Sequence, residues 1–490
     1  MPDAPDALSR LAAGRPRDEA VRAPDGRMLD YRGLERRVAL AAAGAATFPD
    51  TVGLFAHSGI DWTVAYLGLM RAGRTIVPLP AFFSEGQIGH AVADAGISHI
   101  LCDEATFSRA AAFGVPVSRI DGPVFADGDV PQSPESWRLI IYTSGSTGAP
   151  KGVCLGPAQL RRSTKSLTEA ISATAQDVYL SVLPLSLLLE QICAIHVPLS
   201  VGVRTVFAGE PTSGEALARV AAEADPTATV LVPQLLGAWV AAIGAGAPRP
   251  GDRLRMVATG GARVPEALAD RAWSLGLPVH EGYGLSECCA VVCLNRPGER
   301  KAGTVGRPLS GLNVVLDDGE IVVAGPAVMD GYLHEKRSPS GKWRTGDLGA
   351  FDPEGRLVVF GRKDSMLVTS GGRNVVPEWI ESMILADPRI ACAALSVDRA
   401  QELVAVVVPH APFHGALSSL GEAERAAWIA SLVAPAPAYA RPGRAILVSP
   451  EDAAAAGLVT GNGRPRRTAI AGFVGGGAAA AQCETAQSAV

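Results

Sequence analysis

"IIYTSGSTGAPKGV", residues 140–153, sets five hydroxyl side chains, three glycines and one lysine directly behind an apolar run. The run "RLIIY" (138–142) reads as a strand, so the polar stretch sits at a strand's carboxyl end. Glycines let successive backbone N–H groups turn toward one point. The hydroxyls of Thr143, Ser144, Ser146 and Thr147 add neutral donors, and Lys151 adds a positive charge. Convergent donors with one cation describe a cradle for a polyphosphate. A Walker loop is excluded, because Pro150 stands where glycine is needed and Gly152 where Ser or Thr is needed. A flexible Ser/Gly linker is the bland alternative, but a linker does not ordinarily interrupt an α/β domain between a strand and Lys-Gly-Val.

Outward from this loop the chain alternates. "TVGLFA" (51–56) precedes the helical pattern "DWTVAYLGLMRAG" (61–73), then "TIVPLP", "EGQIGHAVADAG" and "SHILCD" follow. The rhythm returns in "ATVLVP" with "QLLGAWVAAIG" and in "LRMVATGG" with "VPEALADRAWSLG". Such alternation predicts parallel sheets covered by helices, with ligands at the carboxyl ends of the strands. After residue 305 the style changes. "LNVVLDDGEIVVAG" (312–325) predicts a hairpin through Asp318-Gly319, and "GRLVVFGRKDSMLVTSGG" predicts more antiparallel sheet. A helix ("PEWIESMILADP"), two strand-like runs and a further helix near 422–433 are enough for a small α+β unit. The expected fold class is α/β: a large N-terminal domain of parallel and mixed sheets flanked by helices (1–363), then a small mobile α+β C-terminal domain (364–473). Residues 474–490, rich in small side chains, read as a disordered tail.

Composition narrows the function. With 490 residues, 48% hydrophobic side chains and a net charge of -5, the chain suits a soluble multidomain protein and excludes one built around nucleic-acid phosphates. The greasiest stretch, "YLSVLPLSLLLEQICAIHVPLSVG", is broken by Glu190, His196 and two prolines, so it reads as buried protein rather than a membrane span. Cys288, Cys289 and Cys293 lack the histidine that a zinc spacing needs. Scattered, reduced thiols fit a cytoplasmic protein.

"YTSGSTGAPKG" resembles the phosphate loop of the adenylate-forming superfamily, which includes acyl-CoA synthetases, carrier-protein adenylation domains and luciferases. Further family-like motifs follow in order: "ATGGARVP" (258–265), "EGYGLSE" (281–287), "GTVGRPLSG" (303–311), "WRTGDLG" (343–349) and "GRKDSMLVTSGGRNVVPEWIE" (361–381). The resemblance implies ATP, Mg²⁺ and CoA as partners and an active site between two domains. It places Thr143, Ser144, Gly145, Ser146, Thr147 and Gly148 around phosphates, with Lys151 as a catalytic cation. Gly260, Gly261 and Ala262 resemble the backbone edge beside adenine, and Gly282, Tyr283 and Gly284 the stretch whose aromatic ring stacks on a purine. Ser286 is suited to the α-phosphate, and Glu287 offers a hard oxygen to Mg²⁺. Asp347 matches the family's ribose aspartate, Arg362 its hinge-side arginine and Asp364 the hinge itself.

Amino-acid-activating relatives place an aspartate within the segment that here reads "LPLSLLLEQ" (183–191). Leucines, with Leu187 near the usual specificity position, leave a substrate ammonium without a partner, so an apolar acid such as a fatty acid is expected. The same run could equally be plain core. Near the C-terminus the family's Asn-Gly-Lys becomes "LVTGNGRPRR", which puts Arg464 in the lysine's place, with Arg466 and Arg467 as weaker candidates. The leading expectation is activation of a carboxylic acid to an acyl-adenylate, then transfer to CoA. Loading of an acyl carrier protein is the alternative, and a nucleotide-binding pseudoenzyme is the alternative of another class.

Overall fold

The computed structural model describes residues 2–121, 137–143, 150–211, 213–335, 341–387, 389–460 and 465–476. Among them, the apolar runs at 51–56, 75–80 and 98–103 each become a strand followed by a helix. Thr51–Phe55, Thr75–Pro78 and His99–Cys102 lie parallel, joined through helices Ile60–Arg71 and Glu85–Asp94. The second helix starts at a capping box in which the Ser84 hydroxyl and Gln87 satisfy each other's backbone N–H. Arg138–Thr143 extends this sheet in parallel beside Thr75–Pro78. Lys151–Leu155 then returns antiparallel to it, with Gly331–Tyr332 on the outer edge.

A second large sheet has Arg204–Phe207, Val178–Ser181, Ala228–Leu231, Met256–Thr259 and Val279–Tyr283 in parallel order. Cys293–Leu294 and Arg307–Pro308 close it antiparallel. The two sheets share one apolar core that includes Trp62, Trp137, Trp239 and Tyr66, all essentially fully buried. The predicted hairpin forms: Asn313–Asp317 pairs with Glu320–Ala324 through Asp318 and Gly319, both at positive φ, as a tight two-residue turn requires. Lys342–Phe351 and Leu357–Arg362 complete that antiparallel sheet.

Beyond it, Ile390–Val397, Leu403–Pro409 and Arg444–Leu447 form a three-stranded sheet with a core on each face. Ala393, Leu395, Ala405 and Val407 point one way, and Cys392, Ala394, Val404 and Val406 the other, as the period of two demands. The buried residues of these two cores fall within 375–474, and Leu367 packs against the first. The last helix, Arg467–Gly475, buries Val474, so order continues past residue 473, while 477–490 lie outside the described residues. No described helix is long and apolar enough to cross a membrane.

Candidate active site

Thr143 ends its strand and faces Lys151 on the next strand, which runs antiparallel to it. Ser144, Gly145, Ser146, Thr147 and Gly148 lie outside the described residues. The Lys151 Nζ sits 4.6 Å over the Tyr332 ring and 3.4 Å from Glu335 Oε1. Tyr332 turns its hydroxyl to Glu287, donating to Oε1 at 2.7 Å. One aromatic side chain therefore joins the lysine of the first motif to the glutamate of a later one. Sequence reading missed Tyr332, whose only signal was a tyrosine in a short run, "GYL", beside the strand it pairs with.

The second cluster surrounds Asp347. Tyr283 donates its hydroxyl to Asp347 Oδ2 at 2.6 Å, and Arg362 Nη1 approaches Oδ1 at 3.7 Å. Asp347 and Arg362 are cross-strand partners, so sheet register brings them together. Gly346, at φ +73, makes room: a Cβ there would meet the Arg362 guanidinium at 3.1 Å. Arg362 also holds the Thr345 carbonyl at 3.2 Å and Asp364 at 3.1 Å. Burial pushes the Asp347 carboxyl above its ordinary range, against the Tyr283 hydrogen bond and Arg362, which pull it down. Burial likewise raises the Tyr283 and Tyr332 phenols, each with a carboxylate neighbour adding to the effect, so both are donors at neutral pH.

Gly260 and Gly261 follow strand Met256–Thr259, and a Cβ on Gly260 would stand 3.2 Å from the Gly282 carbonyl. Gly284 is tighter still, with Ala290 O only 1.6 Å from where a Cβ would be. These contacts close the backbone into a narrow wall. Ser286 begins a 3₁₀ turn beside it.

Behind this wall runs a cavity of about 250 Å³. Gly260, Gly261, Gly284, Leu285 and Ser286 border it at the strands' carboxyl ends. Leu183, Leu187, Leu188 and Leu189 all line it, while Leu183, Leu185 and Leu188 also belong to the shared core, so the leucine run is at once core and cavity wall. The helix they begin passes through one π turn, Ile192–His196, and adds Cys193 and Val197. Glu190, on the same helix, is fully buried. Burial raises its carboxyl to about 8, although Ser181 and Tyr179 donate to it at 2.6 and 3.0 Å.

Arg464 lies outside the described residues. Arg467 does not fit the substitute role: it forks onto buried Glu381 and reaches Glu378 at 3.2 Å, tying the last helix to helix Pro377–Ile384. Among the described residues no cluster of three His, Cys, Asp or Glu could hold a metal, and no disulfide forms. Glu287 nonetheless fits a single hard ligand, because among the described residues the one hydrogen bond to its carboxylate is from Tyr332, at Oε1.

The family model of the AMP-binding enzyme matches residues 8–333. Indoleacetate–CoA ligase of Aromatoleum aromaticum is 31% identical over 465 residues, covering 82% of this chain and 87% of that one. A probable non-canonical nonribosomal peptide synthetase of Salinispora arenicola is also 31% identical, over 80% of this chain but 5% of its own length. Among solved structures, an anthranilate CoA ligase in complex with anthranoyl-AMP superposes with a TM-score of 0.83 at 19% identity, covering 98% of this chain and 99% of that one. The expected α/β architecture is thus shared with adenylate-forming enzymes. The chain belongs to the AMP-binding enzyme family, the adenylate-forming superfamily that its ordered motifs resemble.

Proposed function

We propose that the protein is an AMP-forming acid–CoA ligase for a compact apolar acid, aryl or medium-chain. One observation carries this reading: an apolar cavity opens between Gly260 and Ser286, beside both the Tyr283–Asp347 pair and Glu287. A carboxylate resists thiols because oxide is a poor leaving group. A carboxylate oxygen attacks the α-phosphorus of ATP, the bond to the bridging oxygen breaks, and pyrophosphate leaves. The CoA thiolate then attacks the acyl carbon and AMP departs with the bonding pair. The protein's contribution is positioning and charge neutralisation at phosphorus.

In this reading Asp347 accepts the ribose hydroxyls, and Tyr283 flanks the purine. Gly260, Gly261, Ala262, Gly282 and Gly284 form the edge that the base lies against. Ser286, Thr143 and residues 144–148 donate to phosphate oxygens. Lys151 and Arg464 supply positive charge, and Glu287 would hold Mg²⁺ through its free oxygen. The metal, when bound, draws charge from the phosphates. Residues 1–363 and 364–473 act as two domains about Asp364, in a cytoplasm that supplies ATP and CoA.

The cavity, about 250 Å³, falls just below the roughly 300–1,000 Å³ range of small-molecule pockets, which favours one ring or a medium chain over a long fatty acid. A relative named for indoleacetate supports the aryl side. Carrier-protein loading stays as a second reading because the similarity to a nonribosomal peptide synthetase spans four-fifths of the chain. A carboxylic-acid panel scored for pyrophosphate, with CoA and with carrier proteins as acceptors, tests both. Acid-dependent pyrophosphate with thioester formed only on CoA is expected. No pyrophosphate from any acid would leave a nucleotide-binding pseudoenzyme.

A further inference from the structure

The cavity does not end under the nucleotide wall. Its floor is formed by two neighbouring parallel strands, with Ala228 and Val230 on one and Met256 and Ala258 opposite them on the other, and Thr229 and Thr259 also border it. From Gly260 back to Met256 is four residues, about 13 Å at a rise of ~3.3 Å each. The slot therefore runs the length of the strands and reaches their amino-terminal edge. Two alanines in the floor keep it shallow-walled and open for a tail.

At that edge stands a charged pair. Arg255 and Asp177 both border the cavity. Arg255 donates from Nε to Asp177 Oδ1 at 2.9 Å and from Nη2 to Oδ2 at 2.8 Å. Its Nη1 donates to the Ile171 carbonyl at 2.8 Å. Asp177 also accepts from the Thr174 N–H at 2.8 Å. One side chain thus clasps the turn between helix Pro157–Ala170 and strand Val178–Ser181 across the end of the slot. The Asp177 side chain is 9% exposed and that of Arg255 32%, so solvent lies just beyond the clasp.

We propose that the Arg255–Asp177 pair is the tail stop of the acid site, and that it sets the longest acid the enzyme activates. This rests on the reading of the cavity as the acid pocket. An apolar tail gains by displacing water along the alanine and leucine walls. At the clasp it meets two charges that already satisfy each other, gains nothing by contact, and can pass only by stripping their hydration or opening the turn.

The test is pyrophosphate release by the full-length enzyme with straight-chain acids from butanoic to hexadecanoic. For the wild type, kcat/KM rises about fourfold per methylene and then breaks at one length. In Arg255→Leu the break moves outward, and the ratio of kcat/KM two carbons beyond the old break to that at it rises at least about tenfold. Arg255→Lys, which keeps a charge on Asp177 and protects folding, moves the break outward by a smaller step. Ala228→Leu, which fills the far floor, moves it inward. A break that stays put in both Arg255 variants overturns the proposal, and Arg255→Lys decides alone if Arg255→Leu does not fold. If no acid of any length yields pyrophosphate from the wild type, the acid-pocket reading fails and the tail stop falls with it. Acid turnover with an unmoved break rejects the stop alone.

Discussion

Tyr332 has two jobs that belong to different motifs: its ring lies under the Lys151 ammonium and its hydroxyl holds Glu287. A cation over a ring and a phenol on a carboxylate each contribute modestly, but both fix charged groups that, in the proposed reading, face phosphates. Glu287→Gln should lower Mg²⁺-dependent pyrophosphate release by ~10²-fold or more, the scale of losing a charge contact in the transition state. Tyr332→Phe keeps the ring and removes the hydroxyl bond. It should cost about tenfold, matching the low end of ~1.5–3 kcal/mol for a hydrogen bond to a charged group. Steady-state turnover across a Mg²⁺ titration checks both. Wild-type behaviour in Glu287→Gln rules out the metal role, and a Tyr332→Phe loss as large as that of Glu287→Gln means that Glu287 works only while the Tyr332 hydroxyl holds it.

The helix that lines the cavity turns polar on its far side, where Glu190 is sealed against Tyr179 and Ser181. With a folded-state pKa of about 8 against an ordinary 4.5, Glu190 keeps a proton when folded that the unfolded chain has released. Stability present below the lower value is therefore lost as pH rises from about 4.5 to about 8, by at most ~1.4 kcal/mol per pH unit. Glu190→Gln removes that proton exchange. Its urea midpoint should fall less between pH 5.5 and pH 8 than that of the wild type; equal slopes would show that Glu190 does not titrate there. The last helix is held in a different way, by Arg467 forked onto Glu381. That pairing explains why Arg467, the last of the three candidates for a substitute lysine, is structural: its guanidinium neutralises a carboxylate that burial alone drives toward the neutral form.

Across the whole molecule, the strand Leu357–Arg362 runs into a 3₁₀ turn, Lys363–Ser365, between the shared core and the two C-terminal cores. In the proposed reading, one small domain offers Arg464 for adenylation and the "SGGRN" loop (370–374) for thiol transfer, which it can do only by turning about a few backbone bonds. Asp364→Pro fixes φ at the expected hinge and should slow one half-reaction far more than the other. Arg464→Ala should slow adenylate formation more than transfer from a supplied acyl-adenylate. Arg464→Lys should retain adenylation. Single-turnover rates of each half-reaction, measured with thermal midpoints, check this. Equal loss in both halves at unchanged midpoint would place the hinge elsewhere.

The sequence by itself determined the layout. Alternating apolar runs and helical patterns specified the parallel sheets, and Asp318-Gly319 specified its hairpin, because side-chain period and positive φ are local properties. The hydroxyl-rich loop, the leucine run and the later motifs were legible for the same reason: each is a short string whose chemistry is carried by neighbours in the chain. Only the tertiary structure decided which strings meet. Lys151 reaches Glu287 through Tyr332, which neither motif contains, and Arg255 closes a slot against Asp177, 78 residues away. The leucine run could have been core or pocket by its letters alone; packing left a cavity beside it because the facing strands offer Ala228 and Ala258 there. Each of those side chains is ordinary in its own segment. Sheet register and helix placement, which sum contacts from the whole chain, bring them within reach of one another.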